Sequence, residues 1–355
     1  MTSLVRHLSC TVHVVRGRCA AYGSGINRVV QRGLHLKSSF EGIWLSKSRA
    51  HASTRCYLRA FDRLHPQVVV AQYGPLGVTV LDACQTLQLP LIVFFRGNDA
   101  TCRGVVEPLR GEYQRLFEEA RWLVAVAPTI RDALIRLGAP AEKIVVQPSG
   151  AECERFSGAR PANADAHFVS VGRFVPKKAP QRVVEAFALA HQQRTSISLT
   201  MIGEGPLLKE TRKLAGTLGV ASAVRFLGGL SHECVADEMR QARAYLQHSV
   251  VAPDGDSEGT PVSVMEAGAS GLPVIATRHA GIPNVVLHGQ TGLLVDEHDV
   301  SSMADAIVRL TDNPELAGTL GTSARERVTR EFSVETTAKT VFELIQRSIH
   351  PQQAA

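Results

Sequence analysis

Two glutamates with seven residues between them, Glu258 and Glu266, sit within the segment DGDSEGTPVSVMEAGASGLPV at 254–274. Between them, Thr260-Pro261 reads as a helix opening. Thr can cap the first free backbone N–H groups, and Pro is preset for the first helical position. The helix is predicted over 261–269, with Gly271 as its stop. A helix start presents unpaired N–H groups and the positive end of the macrodipole, which suits an anion such as a phosphate. Ionised carboxylates only accept hydrogen bonds, so Glu258 and Glu266 cannot help hold the anion itself. They make sense if the anion carries hydroxyl-rich groups on both sides, one sugar at each end of a pyrophosphate. The plainer alternative is an ordinary helix with one exposed Glu and one Glu in its capping loop.

Such groups need a scaffold, and the chain supplies alternating strands and helices. SCTVHVV (9–15) reads as a short strand, and GSGINRVVQRGL (23–34) as a glycine turn into a helix. A helix over 57–64 leads to a buried strand, QVVVAQYG (67–74), whose Val68 to Ala71 form a continuous apolar run. Residues 77–88 read as a helix, and PLIVFFRGNDA (90–100) as a second buried strand with a polar tip: Arg96, Gly97, Asn98 and Asp99. Strand–helix and strand–exit patterns follow at 122–140 and 143–156. SGARPANADA (157–166) has no periodicity and is read as a linker. A second series opens with HFVSVGRFVPKK, placing Gly172, Arg173, Lys177 and Lys178 in the turn after a strand. It continues through strand–turn–helix units at 198–211, 224–242 and 272–286 and strands at 244–250 and 292–295, and ends in helices broken near Asn313-Pro314 and Phe332-Ser333. Repeated alternation of this kind implies parallel sheets with right-handed crossovers, and ligands at the carboxyl ends of the strands.

Length and composition bound the answer. At 355 residues, two domains are expected: 1–156 and 167–332, joined by the linker 157–166, with a last helix over 333–349. No stretch reaches the roughly 20 apolar residues of a membrane helix. Seven Cys are scattered singly without a C-x-x-C pair, which reads as free thiols in a reducing compartment. Residues 1–65 hold eleven Lys and Arg against two acids, Glu41 and Asp62, so more than the whole net charge of +6 lies there. A basic face suits an anionic membrane surface or an anionic acceptor, and equally a merely solvated surface. Residues 1–40 contain no acid and are rich in Arg and Ser, a composition shared with organellar transit peptides. Nucleic acid is disfavoured, because no aromatic residues interleave with the charges. The turn Gly203-Glu204-Gly205-Pro206 lacks the third glycine of a dinucleotide fingerprint, which weighs against a nicotinamide oxidoreductase.

The E-G-T-P…E-A pattern (Glu258, Gly259, Thr260, Pro261, Glu266, Ala267), with EAGASGLPVIATRHAGIP at 266–283, resembles the retaining nucleotide-sugar glycosyltransferases of family 4. It looks most like the branch that builds bacterial exopolysaccharide of the colanic-acid type. The resemblance covers roughly 56–349 and implies an α/β, GT-B fold: two Rossmann-like domains, their parallel sheets facing a central cleft. The first domain would take a glycan or lipid-linked saccharide acceptor, and the second a UDP- or GDP-linked sugar. The last helix, 333–349, would cross back to the first domain.

The resemblance also implies residue roles. Glu266 would accept hydrogen bonds from the ribose and Glu258 from the donor sugar. Gly259, Thr260 and Pro261 would bring the helix start to the phosphates, with Gly203 and Gly205 near the nucleoside. Arg173 and Lys178, beside Gly172, would grip the pyrophosphate; a fixed positive charge there would neutralise the departing diphosphate. Gly23 and Gly25 would form the glycine turn near the donor phosphates. Asp99 and Gly97 match the branch's His-Gly-x-Asp tip, where Arg96 replaces the His. The expected catalytic set is Glu258, Arg173, Lys178 and Asp99, with no cofactor and no metal. Asp254-Gly-Asp256 has the form of a metal-binding D-x-D but belongs to the E-G-T-P loop and reads as a polar turn. Retention of anomeric configuration is implied, without Glu258 as a covalent nucleophile. The enzyme would be cytoplasmic, touching the inner face of the membrane. The main alternative is a nucleotide-sugar-binding scaffold whose activity is lost with the Arg96 substitution; a sugar phosphorylase or sugar-phosphate synthase on the same scaffold is a further one.

Overall fold

Buried apolar runs make the sheets, and a computed structural model shows them in two units, 1–148 with 335–355 and 149–334. It describes Leu4, residues 7–8, 10–15, 30–31, 41–45 and 54–350.

The first unit holds strands β1 (Thr11–Val15), β2 (Val30–Gln31), β3 (Glu41–Leu45), β4 (Val68–Gln72), β5 (Leu91–Phe95), β6 (Trp122–Ala125) and β7 (Ile144–Val146), in the order β2-β1-β3-β4-β5-β6-β7. All neighbours are parallel except β2, which runs antiparallel to β1. The helix expected over 23–34 is therefore corrected at 30–31, where the chain is strand. Every residue of β4 and of β5 is buried, as a strand covered on both faces requires. Phe95, Tyr113 and Phe117 pack beside β5 with ring centroids 5.6 to 6.1 Å apart. The helix Val334–Ile349 contributes Thr337, which bonds Gln147 and the Pro148 carbonyl in this unit.

The second unit holds β8 (His167–Val171), β9 (Ser198–Ile202), β10 (Val224–Gly228), β11 (Ala244–Gln247), β12 (Val274–Thr277) and β13 (Gly292–Val295). The order is β10-β9-β8-β11-β12-β13, parallel throughout. Side chains alternate between two cores. Phe168, Leu199, Leu246 and Ile275 face one; Val169, Ile202, Tyr245 and Val274 face the other. This is a doubly wound sheet whose order reverses between β8 and β11, and the crevice at that point is where such sheets bind ligands.

The segment expected as a linker is built into this unit. Ala151 bridges to Ser333, Ala159 N–H bonds the Ser270 carbonyl, and the turn Pro161–Asn163 packs on the helix Pro314–Glu331. The division falls at 148/149 instead of after 156 because these backbone groups find their partners in the second unit. Among the described residues no helix is long and apolar enough to cross a membrane.

Candidate active site

Strands β8 and β11 end at the sheet reversal, and the loops that leave them carry the charged groups. After β8 the chain makes a tight turn, with a short 3-10 helix at Pro176–Lys178 and Ala179 in the left-handed region. That geometry sends Lys177 and Lys178 different ways. Lys178 runs over Gly172 to Glu258, its Nζ 3.1 Å from Oε1. Its side chain is 15 % exposed and that of Glu258 10 %. The two groups form a close, largely buried ion pair. Burial pushes the Glu258 carboxyl up, but Lys178 and Lys177 outweigh it and hold the group below the ordinary carboxylate range.

Lys177, in the same turn, has partners of its own. It is buried and bonds Asp256 Oδ1 at 2.8 Å and the Ser257 carbonyl at 3.1 Å, pinning the loop that carries Glu258. Arg173 is exposed and has no carboxylate partner among the described residues, so its charge is available to an anion. Asp256 is held by Lys177, and Asp254 accepts the Asp256 N–H at 3.0 Å, a turn bond of the kind expected for this pair.

The helix Val262–Ser270 follows the loop. Its opening differs from the sequence expectation. Pro261 is the capping residue, not the first helical one. Gly271 ends the helix in the left-handed conformation, as expected. Glu266 points from this helix with no side-chain partner among the described residues; burial, helped by neighbouring Glu152, raises its carboxyl to about 7. Beneath the helix start, the Tyr245 hydroxyl lies 2.8 Å from Ser263 Oγ and 2.9 Å from both the Val171 carbonyl and Gln247 Oε1. This network ties β8, β11 and the helix together.

Gly203 and Gly205 are required by packing. Both have left-handed φ, 136° and 152°, and a Cβ would come 1.9 Å from the Gly172 carbonyl oxygen or 2.4 Å from that of Phe174. They let the β9 turn lie against the β8 turn and so set where Arg173 and Lys178 begin.

Two residues absent from the sequence reading complete the loop. His279, after β12, is 1 % exposed. Its Nε2 accepts the Glu258 N–H at 3.2 Å, and its Nδ1 lies 2.6 Å from Glu297 Oε1. No local spacing announces this contact, since its partners leave three different strands.

In the first unit, Asp99 is almost wholly buried, and both its oxygens are occupied. Oδ2 accepts Gly74 N–H at 3.0 Å; Oδ1 accepts Arg96 N–H at 2.9 Å and Gly97 N–H at 3.0 Å. Burial raises its pKa and these N–H bonds oppose the rise. The geometry is that of a latch across the tips of β4 and β5. Gly97, with φ 143°, makes the turn possible. Arg96 bonds Gln72 Oε1 through Nε at 3.1 Å and through Nη2, and lies over the rings of Phe94 and Tyr73. Gly23 and Gly25 lie outside the described residues.

Two Rossmann-like α/β units, with a charged turn and an acid-flanked helix start at the sheet reversal of the second, define the GT-B class of glycosyltransferase. The family models agree: the model described as glycosyl transferases group 1 matches residues 154–327, and that of glycosyltransferase family 4 matches 2–155. A protein of Escherichia coli K12 named as a colanic acid biosynthesis glycosyltransferase, WcaL, is 30% identical over 327 residues, covering 89% of this chain and 80% of that protein. The amylovoran biosynthesis glycosyltransferase AmsK of Erwinia amylovora is 31% identical, covering 79% and 70%. Among solved structures, Anabaena Alr3699/HepE in complex with UDP superposes with TM-score 0.73 at 16% identity, covering 86% of this chain and 92% of that one. The chain belongs to the family 4 glycosyltransferases.

Proposed function

We propose that the protein transfers a hexosyl group from a UDP- or GDP-linked donor to a hydroxyl of a glycan or lipid-linked saccharide, with retention of configuration, in the synthesis of an exopolysaccharide or other cell-surface polysaccharide. The names of the E. coli and Erwinia relatives support the pathway, and the UDP in the Anabaena structure supports the donor class. The observation that carries the reading is the Lys178–Glu258 pair beside a helix start whose second carboxylate, Glu266, is left for a ligand.

In this reading Glu266 accepts the ribose hydroxyls and Glu258 Oε1 a donor-sugar hydroxyl. Arg173 and Lys178 meet the diphosphate. As the C1–O bond to phosphate breaks, its electron pair goes to the diphosphate, where those charges stabilise it. The acceptor oxygen bonds C1 on the same face, and its proton passes to a diphosphate oxygen. No metal is required, because Asp256 and Asp254 are engaged in shaping the loop. A lipid-linked acceptor would set this work at the cytoplasmic face of a membrane.

The test is proton NMR of UDP- and GDP-hexoses with the enzyme and a saccharide acceptor, with and without EDTA. The expected result is a product with the donor's anomeric configuration, unaffected by EDTA. An inverted product defeats the retaining mechanism, and loss of turnover in EDTA defeats the metal-free reading. Binding without turnover of any donor would support a scaffold.

A further inference from the structure

His279 is buried and receives two donors on one nitrogen. The Glu258 N–H and the Ser257 hydroxyl both converge on Nε2, at 3.2 and 3.0 Å. A backbone N–H can only donate, so Nε2 is the bare, accepting nitrogen. The ring proton then sits on Nδ1 and is donated to Glu297 Oε1 at 2.6 Å. Glu297 Oε2 accepts the Val251 N–H at 3.0 Å. Gly281 N–H bonds the Gly259 carbonyl at 2.9 Å, so the backbone after His279 holds the other flank of Glu258. Three loops, those following β11, β12 and β13, are thus tied through one imidazole and one carboxylate.

We propose that His279 and Glu297 are a positioning pair for Glu258. Glu297 fixes the tautomer and orientation of His279, and His279 holds the Glu258 backbone where its carboxylate meets both Lys178 and the donor sugar. The claim rests on the proposed donor-sugar role of Glu258. Lys177 secures the loop from the other side through Asp256 and the Ser257 carbonyl, so the loop keeps its outline when His279 is changed. What His279 adds is the placement of one carboxylate, and misplacement of a reacting group by about 1 Å costs on the order of 100-fold in rate.

Two substitutions separate the two sides of the ring. His279→Gln carries an amide oxygen out to the place of Nε2, where it can accept the Glu258 N–H. His279→Asn reaches only the place of Nδ1 and can donate to Glu297 but cannot accept from Glu258. With UDP-glucose and GDP-mannose as probes, His279→Asn is expected to lower kcat about 30-fold with KM changed less than about threefold, and His279→Gln to recover most of that loss. Equal activities in the two variants, at matched melting temperatures, would overturn the proposal. The 15N shifts of the His279 ring give a reading independent of turnover. An Nδ1–H tautomer that is lost in Glu297→Gln is expected; an Nε2–H tautomer in the wild type overturns the proposal whatever the assays show. Absence of turnover in the wild type with every donor would defeat the functional reading instead, and the ring shifts would still decide the loop geometry.

Discussion

At the scale of single residues, three carboxylates of one chain are put to three uses by their surroundings. Glu258 is kept ionised by two lysines, and Asp99 is consumed by backbone N–H groups. Glu266 is half-buried without a side-chain partner among the described residues, and its carboxyl is raised to about 7. Its folded pKa lies above the ordinary Glu value of 4.5, so the stability it contributes is fully present below about pH 4.5 and is lost as pH rises through 7. Glu266→Gln is therefore expected to stabilise the protein at pH 8 by roughly 1–3 kcal/mol and to do nothing at pH 4, measured by chemical denaturation at both. Donor binding has the opposite sense: ribose hydroxyls need the ionised acceptor, so affinity falls as pH drops through 7. A wild-type affinity flat from pH 6 to 8 would contradict this assignment. Asp99→Ala strands three N–H groups and is expected to cost about 2–4 kcal/mol of stability. A fully stable Asp99→Ala protein lacking only turnover would instead support the catalytic role expected of this residue.

At the scale of elements, the site depends on turns that pack backbone on backbone. Gly203→Ala forces a Cβ to 1.9 Å from a carbonyl oxygen at a left-handed φ, with an expected loss of at least about 2 kcal/mol and of nucleotide binding. A stable, binding-competent Gly203→Ala would remove the packing reason given for that glycine. Much of this level was legible in the chain. Apolar runs announced β4 and β5, and Asn313-Pro314 marked a helix break, at which Asn313 accepts the Leu316 N–H and opens the next helix. The carboxylate spacing drew attention to Glu258 and Glu266. What was not legible depends on tertiary partners. Thr260 looked like a cap until Pro261 took that place, and nothing in the sequence set Lys177 apart from Lys178 before Asp256 claimed it. His279 and Glu297 had no local pattern, because strand order, not sequence distance, brings them to Glu258.

At the scale of the whole molecule, two units of related architecture divide the chain, and the surplus of basic residues lies within 1–65. If those charges meet a membrane, the protein should co-sediment with phosphatidylglycerol vesicles and not with phosphatidylcholine ones. The association should weaken between roughly 0.05 and 0.5 M salt as screening shortens. Equal partition to both vesicles would reduce the basic segment to a solvated surface. The central claim is that the second unit binds a nucleotide-sugar between Lys178, Glu258 and Glu266. The most direct measurement is calorimetric titration of UDP-glucose and GDP-mannose into the wild type and into Glu266→Ala at pH 8. Saturable binding of one nucleotide class, weakened at least about tenfold by the substitution, is the predicted result. Binding of either donor that is unchanged in Glu266→Ala, or no binding of either by the wild type, would contradict it.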